Sequence, residues 1–212
     1  LLLWIKGAYS PKEIRERALD RSTMFAEEML AWLEACHQGE FSTGSQADIE
    51  RRLSDLGRPP PRQEDKPWWP DPRTALPQPP PDDASHAELE IWFEQVCKVT
   101  DEILCLSNVH SPQHSRHCLR PPDFQCRARF PRWPLYKYSF VDSQSGAIRM
   151  KKGESWINTF NIVMTYLLRC NTDVTSLLSG TQVRAVVAYV TDYVTKMSLK
   201  SYVIFEAIRS VL

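Results

Sequence analysis

The chain has 212 residues, enough for one or two domains with a sizeable core. Its 26 basic and 26 acidic side chains cancel, so net charge selects no partner. Only seven glycines are present, and no GxxxxGK(S/T), GxGxxG or GxSxG pattern occurs, which excludes a helicase motor, a dinucleotide turn and a hydrolase elbow from this stretch.

Leu1 to Ile5 is apolar and reads as a short strand cut in its middle. Ser10-Pro11-Lys12-Glu13 is a capping box with proline at the first helical position, so a helix is expected through about Asp20. A second helix is expected from Thr23 to about His37, with Phe25, Met29, Leu30, Trp32 and Leu33 on its apolar side. Composition then shifts. A short helix at Gln46–Leu56 is followed by a proline-rich, extended linker to about Asp83, in which Trp68-Trp69 is read as a docking point. Composition therefore divides the chain into residues 1–41, 42–84 and 85–212.

Ser85-His86-Ala87-Glu88 is a second capping box. It opens a helix expected to run from His86 to Leu106, burying Leu89, Trp92, Phe93, Val96, Val99, Ile103 and Leu104. Cys97 and Cys105 on it are read as core thiols. The next segment, NVHSPQHSRHCLRPPDFQC, is poor in hydrophobes and rich in metal-ligand types. Zinc takes four such donors in a tetrahedron, and a loop of this kind gains order by binding one. The expected ligands are His110, Cys118 and Cys126, completed by His117 or alternatively by His114. The competing reading is a polar loop with incidental thiols.

Between Arg116 and Lys152 the charge is one-sided. Arg127, Arg129, Arg132, Lys151 and Lys152 interleave with Phe124, Phe130, Trp133, Tyr136, Tyr138 and Phe140. Cations suit a nucleic-acid backbone and aromatic rings suit unstacked bases, so a nucleic-acid partner is one reading of this segment and a solvated basic loop is the other. Tyr136–Val141 and Ala147–Lys151 flank Asp142-Ser143-Gln144-Ser145-Gly146 and read as a β-hairpin. Ser155 to Leu168 reads as a buried helix with Trp156, Phe160, Val163, Met164 and Leu167 inside.

The densest pattern runs from Leu167 to Lys196. Val183, Val186, Val187, Val190 and Val194 follow helical spacing, with Gly180 and Thr181 at the entry. Tyr189 and Tyr193 are four apart, on one face whether the segment is helix or strand; the helix is preferred. A last helix from Ser198, with Leu199, Tyr202, Val203, Phe205, Ile208 and Leu212 as its stripe, lacks a stop signal. The fold class expected is α-dominated α+β, with a hairpin and a leading strand of an incomplete antiparallel sheet. The six cysteines and the lack of a secretory leader point to an intracellular setting, with thiols free or on metal.

Three stretches, AVVAYVTDYVTK, RCNTDV and CRARFPR, together resemble the replication-initiator domain of Helitron transposons. That resemblance implies rolling-circle nicking and strand transfer of single-stranded DNA in the nucleus, in a parent protein fused to a helicase. It implies that Tyr189 and Tyr193 are nucleophiles and that Lys196 stabilises phosphate charge. Arg184 joins them as a backbone contact on its sign alone. It also implies a divalent metal, Mg²⁺ or Mn²⁺, on a histidine–hydrophobe–histidine motif that would lie ahead of Leu1. On this reading the chain is a fragment, inactive in nicking by itself. The alternative is a non-catalytic, zinc-stabilised DNA-binding or interaction module left by a decayed transposon.

Overall fold

The computed structural model describes residues 6–55, 71–114, 118–120, 125–175, 184 and 186–191. The leading strand, Trp68-Trp69 and the last helix lie outside the described residues, as do His117, Phe124, Tyr193 and Lys196. Among the described residues the fold is α-dominated α+β, with five helices of seven residues or more and two two-stranded sheets. The chain divides into two compact units, residues 1–26, 141–148 and 176–212 in one and residues 27–140 and 149–175 in the other. These boundaries follow contacts in space rather than shifts in composition.

The first unit contains α1 (Pro11–Leu19), whose capping box is complete: Ser10 Oγ accepts the Glu13 amide and the Glu13 carboxylate accepts the Ser10 amide at 2.7 Å. Those bonds hold the Glu13 carboxyl below its usual range. The expected hairpin is formed by β3 (Phe140–Val141) and β4 (Ile148–Arg149). Asp142 Oδ1 organises the turn by accepting the Ser145 amide at 2.7 Å and the Gln144 amide at 3.1 Å. Gly146 closes it at φ +65°, where a side chain would press on Arg15 and Leu19 of α1. Residues 186–191 are helical, and Val186, Val187 and Val190 are exposed there instead of buried as a stripe.

The second unit holds the main core. Phe41, Ile49, Leu53, Leu104, Cys105, Leu106, Ile157 and Phe160 form one buried cluster. They come from α3 (Gln46–Asp55) and the loop ahead of it (Phe41), from α4 (His86–Ser107) and from the segment ahead of α5 (Ile162–Leu168). Single antiparallel bridges, Gln38 to Phe160 and Val109 to Ile157, carry the segment around residue 157 between the helices. At the end of α4, Asn108 donates to the Thr172 carbonyl at 3.0 Å and accepts the Thr172 amide at 3.1 Å. This clasp fixes the RCNTDV stretch against the core. Arg169 ends α5 in the left-handed region at φ 56°, and its guanidinium donates to the Pro72 carbonyl at 3.1 Å. Tyr166 and Trp92 both donate to the Gln78 carbonyl, at 3.1 and 3.2 Å. The described part of the proline-rich stretch is therefore held against α4 and α5.

Three faces differ from expectation. Val163, Met164 and Leu167 of α5 are exposed, and the buried side is Thr165 with Tyr166. Asn161 sets this rotation by capping the Met164 amide at 3.0 Å while donating to the Cys36 carbonyl at 2.6 Å. Leu89 and Phe93 are exposed because α4 meets the core only from Val96 onward. Trp32 of α2 (Phe25–Cys36) is exposed, whereas Leu33 beside it is buried.

Gly39 passes directly over the chain at residues 151–152. A Cβ there would lie 2.9 Å from the Lys151 carbonyl oxygen and 3.0 Å from Lys152 Cα, both backbone atoms. Gly39→Ala should therefore destabilise this unit by about 1–3 kcal/mol, the usual cost of overpacking. A thermal melt unchanged from the parent would contradict that close approach.

Candidate metal centre

His110 follows α4 directly. Its backbone amide donates to the Trp156 carbonyl at 2.7 Å, which fixes the start of the loop. Ser111 Oγ accepts the Gln113 amide at 3.1 Å and turns the chain so that His114 comes back beside His110. Further on, β1 (Leu119–Arg120) and β2 (Gln125–Cys126) pair antiparallel, Leu119 opposite Cys126. Cys118 sits just ahead of β1, so the hairpin brings both sulfurs to one end.

The four side chains converge. His110 Nε2 lies 3.1 Å from His114 Nδ1, 3.5 Å from Cys118 Sγ and 3.4 Å from Cys126 Sγ. The two sulfurs are 3.6 Å apart, and all four donor atoms lie within 4.8 Å of one another. A tetrahedron with ordinary zinc–sulfur and zinc–nitrogen bonds has edges of about 3.8 Å (S–S), 3.6 Å (S–N) and 3.3 Å (N–N). These four edges fall about 0.1–0.2 Å inside these values, and the whole set spans up to 4.8 Å, so the cluster could hold a metal ion once its widest edge closes in. Two thiolates and two imidazoles close the coordination shell, which is the arrangement of a structural site.

The surroundings treat the two thiols differently, favouring the thiolate at Cys126 and disfavouring it at Cys118. Burial acts upward on the Cys126 thiol, but the amides of Phe130, Ala128 and Arg129 and the Cys118 thiol outweigh it and hold Cys126 below its ordinary value. Cys118 is pushed up, first by burial and then by Cys126, with the amides of Arg127 and Ala128 working against this. The His110 ring is stacked on Phe130 at 4.6 Å and lies parallel to Trp156 at 6.4 Å. Aromatic walls of this kind fix the orientation of a ligand ring. The CRARFPR stretch thus supplies a ligand, Cys126, the amides around its sulfur, and the ring that stacks on His110.

Of the expected ligands, His110, Cys118 and Cys126 are brought together, and His114 takes the fourth place among the described residues. His117, the other candidate, lies outside them. Cys97 and Cys105 stay apart from the cluster in α4, and burial pushes the Cys105 thiol up to about 12.

The basic residues separate into different environments. Arg127 and Arg129 are exposed on the turn after Cys126. Arg184, in the first unit, is exposed too. Lys151 pairs with Glu40. Arg132 is half-buried, stacks on Phe130 at 4.7 Å and donates to Asn158 Oδ1 at 2.9 Å. Lys152 is half-buried and donates to the Ile157 carbonyl at 3.1 Å. Among the aromatics, Trp133 and Tyr138 are 67% and 70% exposed, whereas Phe130 is buried and Tyr136 meets Phe140 edge-on. Among the described aromatics of this segment, Trp133 and Tyr138 are therefore the exposed rings. Tyr189 is 66% exposed on the helix of the first unit.

Burial, then the neighbouring Arg132, lowers the Lys152 ammonium from 10.5 to about 8, with Asp173 and Glu154 acting weakly the other way. The unfolded chain then binds more protons than the folded one between these values, so stability should rise as pH climbs from about 8 to 10.5. The rise should reach about 2–3 kcal/mol at most. Denaturant unfolding at several pH values checks this against Lys152→Met, in which that rise should vanish.

No family model, curated protein or solved structure matches the chain.

Proposed function

We propose that this chain is a piece of a Helitron-like rolling-circle initiator, and that residues 110–152 act in it as a zinc-braced surface for single-stranded DNA. The observation that carries the zinc assignment is the convergence of His110, His114, Cys118 and Cys126 donors within 4.8 Å of one another. Zinc is preferred because two thiolates and two imidazoles in a closed tetrahedron match its ligand chemistry. The ion would hold a short hairpin whose next turn presents Arg127 and Arg129, followed by Trp133 and Tyr138. Cations for phosphate and exposed rings for bases are the two contacts a single strand needs.

Tyr189 and Tyr193 are assigned as nucleophiles from the AVVAYVTDYVTK resemblance, and exposure of Tyr189 accords with that role. A phenol oxygen would attack the phosphodiester phosphorus, form a 5′-phosphotyrosine and release the 3′ oxygen, which takes up a proton. The phenol proton must leave to a base, because a phenol of pKa about 10 is a weak nucleophile at neutral pH. Lys196 would neutralise charge on the phosphate. In the complete parent domain a divalent metal would polarise the scissile phosphate.

Two measurements test the proposal. Oligothymidylate binding should weaken steeply with salt and lose affinity in Arg127→Ala/Arg129→Ala. Binding that ignores both salt and these changes would leave an interaction module unrelated to DNA. Labelled single-stranded DNA with Mg²⁺ or Mn²⁺ should give no covalent adduct on this chain alone. When the upstream segment is restored, an adduct should form and be lost in Tyr189→Phe/Tyr193→Phe; an adduct that survives the double change would refute the nucleophile assignment.

A further inference from the structure

Arg132 and Lys152 pose an electrostatic problem that the other described residues do not solve. Their head groups reach adjacent residues of one segment: the Arg132 guanidinium donates to the Asn158 side chain at 2.9 Å, and the Lys152 ammonium donates to the Ile157 carbonyl at 3.1 Å. Both acceptors are neutral. Both side chains are half-buried. Arg132 Nε is fully buried with no hydrogen-bond partner. Among the described residues neither cation has a carboxylate within 4.0 Å; Asp173 and Glu154 are felt by Lys152 only at longer range.

Two like charges that act on one another and are partly out of water gain from an anion that pairs with both. A phosphate group supplies what is missing. It carries the opposite charge, and its oxygens can accept from a guanidinium and an ammonium at once. The surrounding structure is already rigid. The Arg132 amide donates to the Ser155 carbonyl at 2.8 Å, and the guanidinium stacks on Phe130, which in turn stacks on His110. The column Arg132–Phe130–His110 therefore ties this place to the metal centre.

We infer that Arg132, Lys152 and Asn158 form a seat for one phosphate group, distinct from the exposed Arg127 and Arg129 turn. The seat rests on the hydrogen bonds, burial and charge of these residues and stands whether or not the initiator reading does. Its phosphate could come from a nucleic-acid backbone or from a free phosphate, and the chemistry of recognition is the same for both.

The probe is inorganic phosphate, added to the full chain during thermal unfolding, with chloride at matched ionic strength as control. Phosphate should raise the melting temperature of the parent in a saturable way, because it binds the folded form. Lys152→Met should weaken phosphate binding about tenfold or more, the size of one charge-assisted hydrogen bond. That variant should nevertheless melt no lower than the parent, since a crowded cation has been removed. Asn158→Asp places a carboxylate against Arg132. It should raise the melting temperature without phosphate and abolish the phosphate effect. If phosphate does no more than chloride, or shifts parent and both variants equally, the seat does not exist.

Oligothymidylate distinguishes the two sources. Loss of oligonucleotide and phosphate binding together in Lys152→Met assigns the seat to a DNA backbone phosphate. Loss of phosphate binding with oligonucleotide affinity intact assigns it to a free phosphate. Absence of all oligonucleotide binding by the parent, with phosphate stabilisation present, keeps the seat and removes the DNA reading.

Discussion

Cys126→Ser should abolish tight zinc binding and remove the order of the segment from His110 to Phe130. The reason is that the described residues of this segment carry little regular structure and few buried apolar side chains. Its two strands are two residues each, and Phe130 is its buried apolar anchor, stacked on a ligand ring. In such segments the metal supplies the folding free energy, an apparent ~10–16 kcal/mol for structural zinc in finger peptides. The parent should carry one zinc per chain by elemental analysis, and a chelator should lower its melting temperature. Cys126→Ser should carry none, and the chelator should leave it unaffected. Cobalt substitution identifies the fourth ligand. A tetrahedral two-thiolate spectrum should survive His117→Ala and be lost in His114→Ala. The reverse pattern would move the fourth position to His117, and a parent that purifies without zinc would remove the metal assignment.

Asp101→Ala should be the most damaging single change in the helical core. Asp101 is fully buried on α4, yet its carboxylate is not isolated. It accepts the Ser42 amide at 3.0 Å, the Thr43 amide at 2.7 Å and the Thr43 hydroxyl at 2.6 Å. Arg52 of α3 closes the network by donating to Thr43 Oγ1 at 2.7 Å and to the Thr43 carbonyl at 3.1 Å. Burial raises the Asp101 carboxyl above its usual range, with the bonds from Thr43 and Ser42 opposing it. Removing the carboxylate takes the acceptor from three donors, the amide of exposed Ser42 and the amide and hydroxyl of half-buried Thr43. The expected loss is about 2–4 kcal/mol, because three charge-assisted bonds are lost together and the Thr43 donors are partly shielded from water. Denaturant unfolding measures it. Zinc content should stay at one per chain, since the metal cluster is held by other residues. A loss under about 1 kcal/mol would mean that the 42–43 loop finds water in place of Asp101.

Asp101 also shows why part of this fold was illegible in the sequence. An acid in an amphipathic helix reads as solvent-facing, and only the loop at Ser42-Thr43, some sixty positions earlier, reveals otherwise. The same holds for α5. Its apolar residues at 163, 164 and 167 suggested the buried side, but the Asn161 cap and the Cys36 carbonyl rotate Thr165 and Tyr166 inward instead. The basic segment was legible as charge and not as geometry. Arg127 and Arg129 face solvent, Lys151 is tied to Glu40, and Arg132 and Lys152 turn inward onto Asn158 and Ile157.

Signals that act over a few residues needed no structure. The capping boxes at Ser10 and Ser85 determined where α1 and α4 begin, because donor and acceptor are three residues apart in any helix start. The turn at Asp142–Gly146 determined its hairpin for the same reason. Residue chemistry determined the metal-ligand types at His110, Cys118 and Cys126. Tertiary structure decided what depends on long-range packing: the approach of His114 to His110, the stacking of Phe130 on His110, the buried faces of α4 and α5, and the placing of Arg132 and Lys152 on Asn158 and Ile157. Spacing along the chain records neighbours within a turn, whereas these arrangements depend on segments up to about a hundred residues apart that meet only once the core has formed.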